Sequence, residues 1–191
     1  MLTTRPLALG GVVGPVAFVT AWAVCGARTD GYDPVDQAIS QLASVHAPAR
    51  AGMTAGLLAF AVGVVGFGLA LRRVLPGPAW LSAVLTGVAT LGVAALPLDG
   101  PAGDDVHGAF AVAGYATLAS APLLAAGPFA ERGLTTGARV SVVCGVVSAA
   151  CLTATTIDPV SGLAQRAGLT AGDAWIVVTA LAVWRDRLSR A

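Results

Sequence analysis

Two histidines, a scatter of aspartates and one late arginine are the residues able to do acid–base, metal or anion chemistry in this chain. His46 and His107 are its only histidines. Asp99 lies eight residues before His107, across a turn rich in Gly and Pro. An imidazole near a carboxylate can serve as a general base, as a proton-responsive pair or as part of a zinc site. His107, Asp99 and Asp158 are therefore the candidate catalytic residues, and His46, His107 and Asp99 the candidate metal ligands. No two of them share a recognised ligand spacing, and the sequence implies no cofactor. Asp99 and Asp158 each close an apolar run, at a helix C-terminus where the macrodipole disfavours another anion. Each needs a cationic partner or caps the turn that follows. Arg166, Gln165, Ser40 and Tyr115 form the candidate ligand-binding set. The planar fork of Arg166 suits a lipid phosphate or a carboxylate as well as an internal salt bridge. Asp173 and Trp175 read as the N-cap and the interfacial anchor of the last helix.

The elements that must position these residues are apolar and long. The chain is 56% hydrophobic and 11% charged over 191 residues, against about 25% charged in an average soluble domain. Such a surface cannot be coated for water, so the bilayer is the solvent. Six apolar segments cover approximately 7–25, 51–71, 80–98, 108–129, 140–156 and 174–184. They are continuously apolar, unlike the alternating strands of a membrane barrel, so they read as helices. The expected fold is all-α, one polytopic domain of six transmembrane helices. The long connection from 26 to 50 adds a short amphipathic helix over 34–46. There Asp33-Pro34 supplies an N-cap and first turn, and Val35, Ile39, Leu42 and Val45 recur at helical spacing.

Charge gives an orientation. All eleven basic residues are Arg, a usage that fits a GC-rich bacterial genome. Eight of them, with two acids, fall on the side of the termini, and three, with eight acids, on the other. The Arg-rich side is expected to be cytoplasmic, which puts both termini inside and the acidic mouth outside a plasma membrane. A formal net charge of +1 offers no case for nucleic acid. Cys25, Cys144 and Cys151 are odd in number and read as small packing residues. No phosphate-binding glycine loop, nucleophile elbow or Cys-pair metal motif is present.

Four short motifs occur in order: Ile39-Ser40-Gln41-Leu42, Pro97-Leu98-Asp99, His107-Gly108 and Gly162-Leu163-Ala164-Gln165-Arg166. In that order and spacing the chain resembles the bacterial and archaeal membrane family called domain of unknown function 998. Where that family usually has an acid after Ile-Ser, this chain has Gln41. The resemblance implies a six-helix membrane protein and assigns no catalytic residue. Three functions remain open from the sequence. The polar mouth binds a lipid headgroup or a membrane-protein partner; it is the site of a lipid-modifying or hydrolytic enzyme at the outer leaflet; or the bundle is a small transporter. The last requires ionisable groups near the midplane, and the sequence places all of them at the rim. Oligomeric state is left open.

Overall fold

The computed structural model describes residues 4–156, 161–185 and 188. Six helices follow one another: α1 (Thr4–Ala27), α2 (Arg50–Leu71), α3 (Ala79–Ala95), α4 (Asp104–Glu131), α5 (Thr135–Thr153) and α6 (Ser161–Trp184). Five are long and apolar enough to cross a membrane, and α3, at 17 residues, is the short one. At 1.5 Å per residue α3 rises about 26 Å, close to the roughly 30 Å hydrocarbon thickness. Each long helix turns a valine more than half exposed to the outside: Val13, Val62, Val112, Val143 and Val178. That apolar girdle is what a polytopic membrane bundle presents to lipid.

Each helix packs on its neighbours in the chain, and α6 also packs on α1, so the bundle closes into a ring. Lipid tails are as apolar as leucine, so close packing and internal polar contacts must hold these helices together. The α1–α2 seam uses glycine. A Cβ on Gly10 would lie 2.6 Å from the Gly63 carbonyl oxygen and 3.1 Å from the Gly63 Cα, so the two backbones touch. The α3–α4 seam uses hydroxyls. Ser82 Oγ donates to the Thr117 carbonyl at 2.9 Å, and Thr86 Oγ1 donates to Thr117 Oγ1 at 3.0 Å. Lower down, Trp175 Nε1 of α6 donates to Ser141 Oγ of α5 at 2.8 Å, and its ring meets Phe67 of α2 edge-on at 6.0 Å. Gly63→Val is expected to destabilise the detergent-solubilised protein by about 2 kcal/mol or more, since overpacking against backbone cannot relax by a side-chain rotation. Thermal unfolding checks this; an unchanged melting point would mean the backbones are not in contact.

Three sequence expectations change. The last helix starts at Ser161, not near 174. Its first four turns carry Gln165, Arg166 and Asp173, polar residues that looked like a loop but are buried against the rest of the protein. Asp173 is accordingly no N-cap, and Trp175 no interfacial anchor: both are buried, at 4% and 2% exposure. The segment 34–46 is not one amphipathic helix. It is a single turn begun at Asp33, whose carboxylate accepts from the Val35 N–H at 2.8 Å, then a short 3-10 helix, Ile39–Ala43. Ile39 and Leu42 point inward as the spacing foresaw, while Val35 is exposed.

Candidate functional site

At the end of the bundle away from the Arg-rich turns, two latches fix the loops. The first joins the loop before α2 to the start of α6. Four consecutive carbonyls of that loop are each met by α6. The Pro34 oxygen accepts from Arg166 Nη1 at 2.8 Å, Val35 from the Leu163 N–H at 2.8 Å, Asp36 from Ser161 Oγ at 2.6 Å, and Gln37 from Arg166 Nη1 at 3.0 Å. In return, the Ile39 N–H donates to Gln165 Oε1 at 2.7 Å. Helix N-terminal donors need outside acceptors, and the extended loop supplies one. Gly162 makes the approach possible: a Cβ there would sit 2.8 Å from the Pro34 oxygen and closer still to that of Gln37.

Arg166 is the centre of this latch. Its Nη1 also donates to the Gly162 carbonyl at 2.9 Å, and its Nη2 donates to the Tyr32 hydroxyl. The guanidinium lies 5.4 Å over the Trp22 ring and 5.5 Å over that of Tyr32, at cation–π range. Burial pushes the Tyr32 phenol above its usual range, and the Arg166 charge partly offsets the shift. Arg166 is 7% exposed and both its terminal nitrogens are engaged in the latch, while its Nε has no hydrogen-bond partner.

The second latch joins the end of α3 to the start of α4. His107 Nδ1 lies 2.7 Å from the Leu96 carbonyl oxygen. A carbonyl can only accept, so Nδ1 carries the proton and, in neutral imidazole, Nε2 carries the lone pair. The bond also satisfies a carbonyl at the α3 C-terminus that has no helical partner. The Asp99 N–H donates to the Asp104 carboxylate at 2.9 Å, and Asp99 itself takes a left-handed backbone at φ 58°.

Between the latches, α1, α2, α3, α4 and α6 line a narrow cavity of about 60 Å³ that opens to the outside. Ile39 and Ser40 form its lid. Its upper wall carries His107, Tyr115, Gln165 and Thr90; its lower wall carries Phe18, Phe60, Leu118 and Leu169. No Arg, Asp or Glu lines it. Gln165 Nε2 donates to the Tyr115 hydroxyl, which leaves the tyrosine proton free to be donated. His107 Nε2 is buried without a hydrogen-bond partner. His107 and Tyr115 both line the cavity, so a buried acceptor and a donor lie beside its apolar body.

The sequence candidates thus divide. Ser40, His107, Tyr115 and Gln165 line one cavity. His46, Asp99 and Asp104 line a separate, open depression nearer the loop tips. Asp158 lies outside the described residues. His46 and His107 do not share a site, and among the described residues no three His, Cys, Asp or Glu side chains converge as a metal set would. Asp173 was missed as a functional candidate. The signal available was Gly168-x-x-x-Gly172, a small-residue stripe that marks helix packing upstream of 174; Leu152 and Leu118 fill the space above these two glycines.

No curated protein and no solved structure matches the chain. Residues 12–182 match the family described as "Protein of unknown function (DUF998)". The two latches are built from the same four motifs that carried the resemblance, and with a match over nearly its whole length the chain belongs to the DUF998 family of multi-pass membrane proteins.

Proposed function

We propose that this protein binds a membrane amphiphile with a small uncharged polar head, in the cavity beneath the two latches. The observation that carries the reading is the buried His107 Nε2, an acceptor without a partner on the wall of a mostly apolar cavity that also holds the Tyr115 donor. A hydroxyl or primary amide can donate to His107 and accept from Tyr115 at once, which neither a carboxylate nor a phosphodiester can do. The lack of a cation on the walls argues in the same direction, and the apolar lower half suits hydrocarbon, which enters only as the side chains there give way, since the cavity holds about 60 Å³. This narrows the lipid-headgroup expectation to neutral heads and moves it from the acidic mouth to the cavity. A lipid-modifying enzyme remains the alternative, with His107 Nε2 as base, but Asp99 and Arg166 lie outside that cavity and would take no part.

The test is photolabelling of the purified protein in nanodiscs with a diazirine-bearing long-chain alcohol, with label sites read by mass spectrometry. Label is expected on cavity residues and should be competed by unlabelled alcohol more than by the matching fatty acid. His107→Asn keeps a donor near the Nδ1 position and removes the acceptor. That variant and Tyr115→Phe should each lose about 3- to 10-fold in affinity, the worth of one hydrogen bond. Label confined to the outer girdle, or equal in all variants, sinks the reading.

The orientation we propose puts the Arg-rich end in the cytoplasm of a bacterial cell, with both termini inside and the latches facing out. In a cysteine-free background, single cysteines at the exposed positions Asp30 and Asp105 should react with a membrane-impermeant maleimide on whole cells. Cysteines at Glu131 and Thr136 should react only after lysis. The opposite pattern reverses the topology.

A further inference from the structure

Asp173 is the thirteenth of 24 residues in α6, far from either end of a membrane-length helix. It is 4% exposed, and neither carboxylate oxygen has a hydrogen-bond partner. Buried polar groups are normally paired, and an apolar side chain of similar size would pack here without the desolvation cost of a carboxylate. An acid kept in such a place costs stability, and in membrane interiors that marks an ion or proton pathway.

Its position in the bundle is defined by its neighbours. Arg166, Asp173 and Ala180 are seven residues apart and so share one stripe of α6. Arg166 lies over Trp22 of α1, and a Cβ on Gly11 of α1 would lie 2.8 Å from Ala180 Cβ. The stripe therefore faces α1, and Asp173 sits in the seam between those two contacts. Opposite it, α1 carries a buried proline inside the helix, Pro15. Proline has no N–H to give the Gly11 carbonyl, so the same seam holds a carboxylate and a backbone oxygen deprived of its usual donor. A carboxylate beside a helix carbonyl freed by a proline supplies oxygen donors for a small monovalent cation. We infer that Asp173 binds a proton or Na⁺ within the α1–α6 seam.

Few other charges compete. Of the elements packed on α6, α1 contributes Arg5 and Cys25, α2 Arg50, α4 Asp104, Asp105, His107, Tyr115 and Glu131, and α5 Arg139, Cys144 and Cys151; the two 3-10 turns contribute none. All but Tyr115 and Cys144 are within a turn or so of a helix end. The nearest charge on the same stripe is Arg166, two turns away and committed to the latch. Asp173 does not line the amphiphile cavity, so the inference stands apart from the ligand proposed for it.

The test is labelling with dicyclohexylcarbodiimide, which adds to a protonated carboxyl in an apolar setting and ends as a stable N-acylurea. Full-length protein in nanodiscs is labelled, digested and read by mass spectrometry, with Asp173→Asn as background. That variant should fold and melt at or above the wild-type temperature, because it removes an unpaired carboxylate and no contact. Wild-type protein is expected to label at Asp173. If the occupant is a proton, labelling falls by about tenfold per pH unit above the site's own titration point, with NaCl and choline chloride equivalent. If it is Na⁺, labelling at fixed pH falls at least about tenfold with NaCl at saturating occupancy and is unchanged by choline chloride. Either result supports a cation site and names its occupant. Asp173 that never labels, or that labels the same at every pH and in every salt, overturns the inference and makes the residue an inert part of the core.

Discussion

Replacing Arg166 with methionine is expected to destabilise the protein by on the order of 3 kcal/mol and to lower its melting temperature by about 8 °C. Methionine keeps much of the length and apolar bulk, so the change isolates the guanidinium. Without it the Pro34 carbonyl and the Tyr32 hydroxyl lose the guanidinium as donor, the Gln37 carbonyl keeps only the bond from the Tyr32 hydroxyl at 3.2 Å, and the Gly162 carbonyl loses a second donor. Each unpaired buried partner costs about 1–3 kcal/mol. The total is less than the sum, because water reaches part of the loop and the bonds share one side chain. Arg166→Lys should fall between the two proteins. An ammonium keeps the charge but cannot span acceptors the way a planar fork does. A melting temperature within about 2 °C of wild type for Arg166→Met would show that the latch contributes little.

Gly162→Ala makes the opposite kind of change and should hurt for a different reason. Inside a helix, alanine is favoured over glycine by about 0.8–1.0 kcal/mol, so on propensity alone the variant gains stability. The added methyl, however, would lie 2.8 Å from the Pro34 oxygen and 2.9 Å from the Gln37 nitrogen. These are backbone atoms with no rotamer to escape into. The loop must lift, and it takes with it the carbonyls that Arg166 holds and the lid residues Ile39 and Ser40. A net loss of about 2 kcal/mol is expected, with the sign reversed relative to propensity. Thermal unfolding of the single and double variants provides the check. Both changes act on one contact, so Gly162→Ala added to Arg166→Met should cost clearly less than the two effects summed. Full additivity would mean that they act at separate places.

Five of the six helices were legible in composition, because a run of about 20 apolar residues in a chain this poor in charge has one stable form in lipid. The exception, α6, shows why hydropathy alone falls short. Gln165 and Arg166 interrupt its start and Asp173 its middle, and a window average reads polar residues as loop. The partners of Gln165 and Arg166 in the loop are the Ile39 N–H and the carbonyls of Pro34 and Gln37, more than 120 residues away in sequence. Local patterning carries no trace of such pairings. The four motifs were visible as residues, but not as two latches, for the same reason. Ser40, His107, Tyr115 and Gln165 were named from the sequence because a polar side chain in an apolar chain demands a partner. The cavity they share depends on how α2, α3, α4 and α6 cross, which packing decides. The tautomer of His107 likewise follows from a single contact, that of Nδ1 with the Leu96 carbonyl.

The closed ring of helices has a consequence for biosynthesis. Chains leave the ribosome from the N-terminus, so α1 and α2 can settle glycine against glycine while most of the protein is still unmade. The loop between them cannot settle with them. Its carbonyls at 34 and 37 wait for Arg166, and its N–H at 39 waits for Gln165, both in α6, the sixth helix to emerge. Until α6 arrives, the cavity has no fixed lid and α1 has an open flank. A chain cut short before α6 would therefore expose unpaired backbone and an uncovered seam, the kind of partly assembled membrane segment that quality-control proteases remove. α6 thus acts as the keystone, and assembly of the cavity is a report that all six helices are in place.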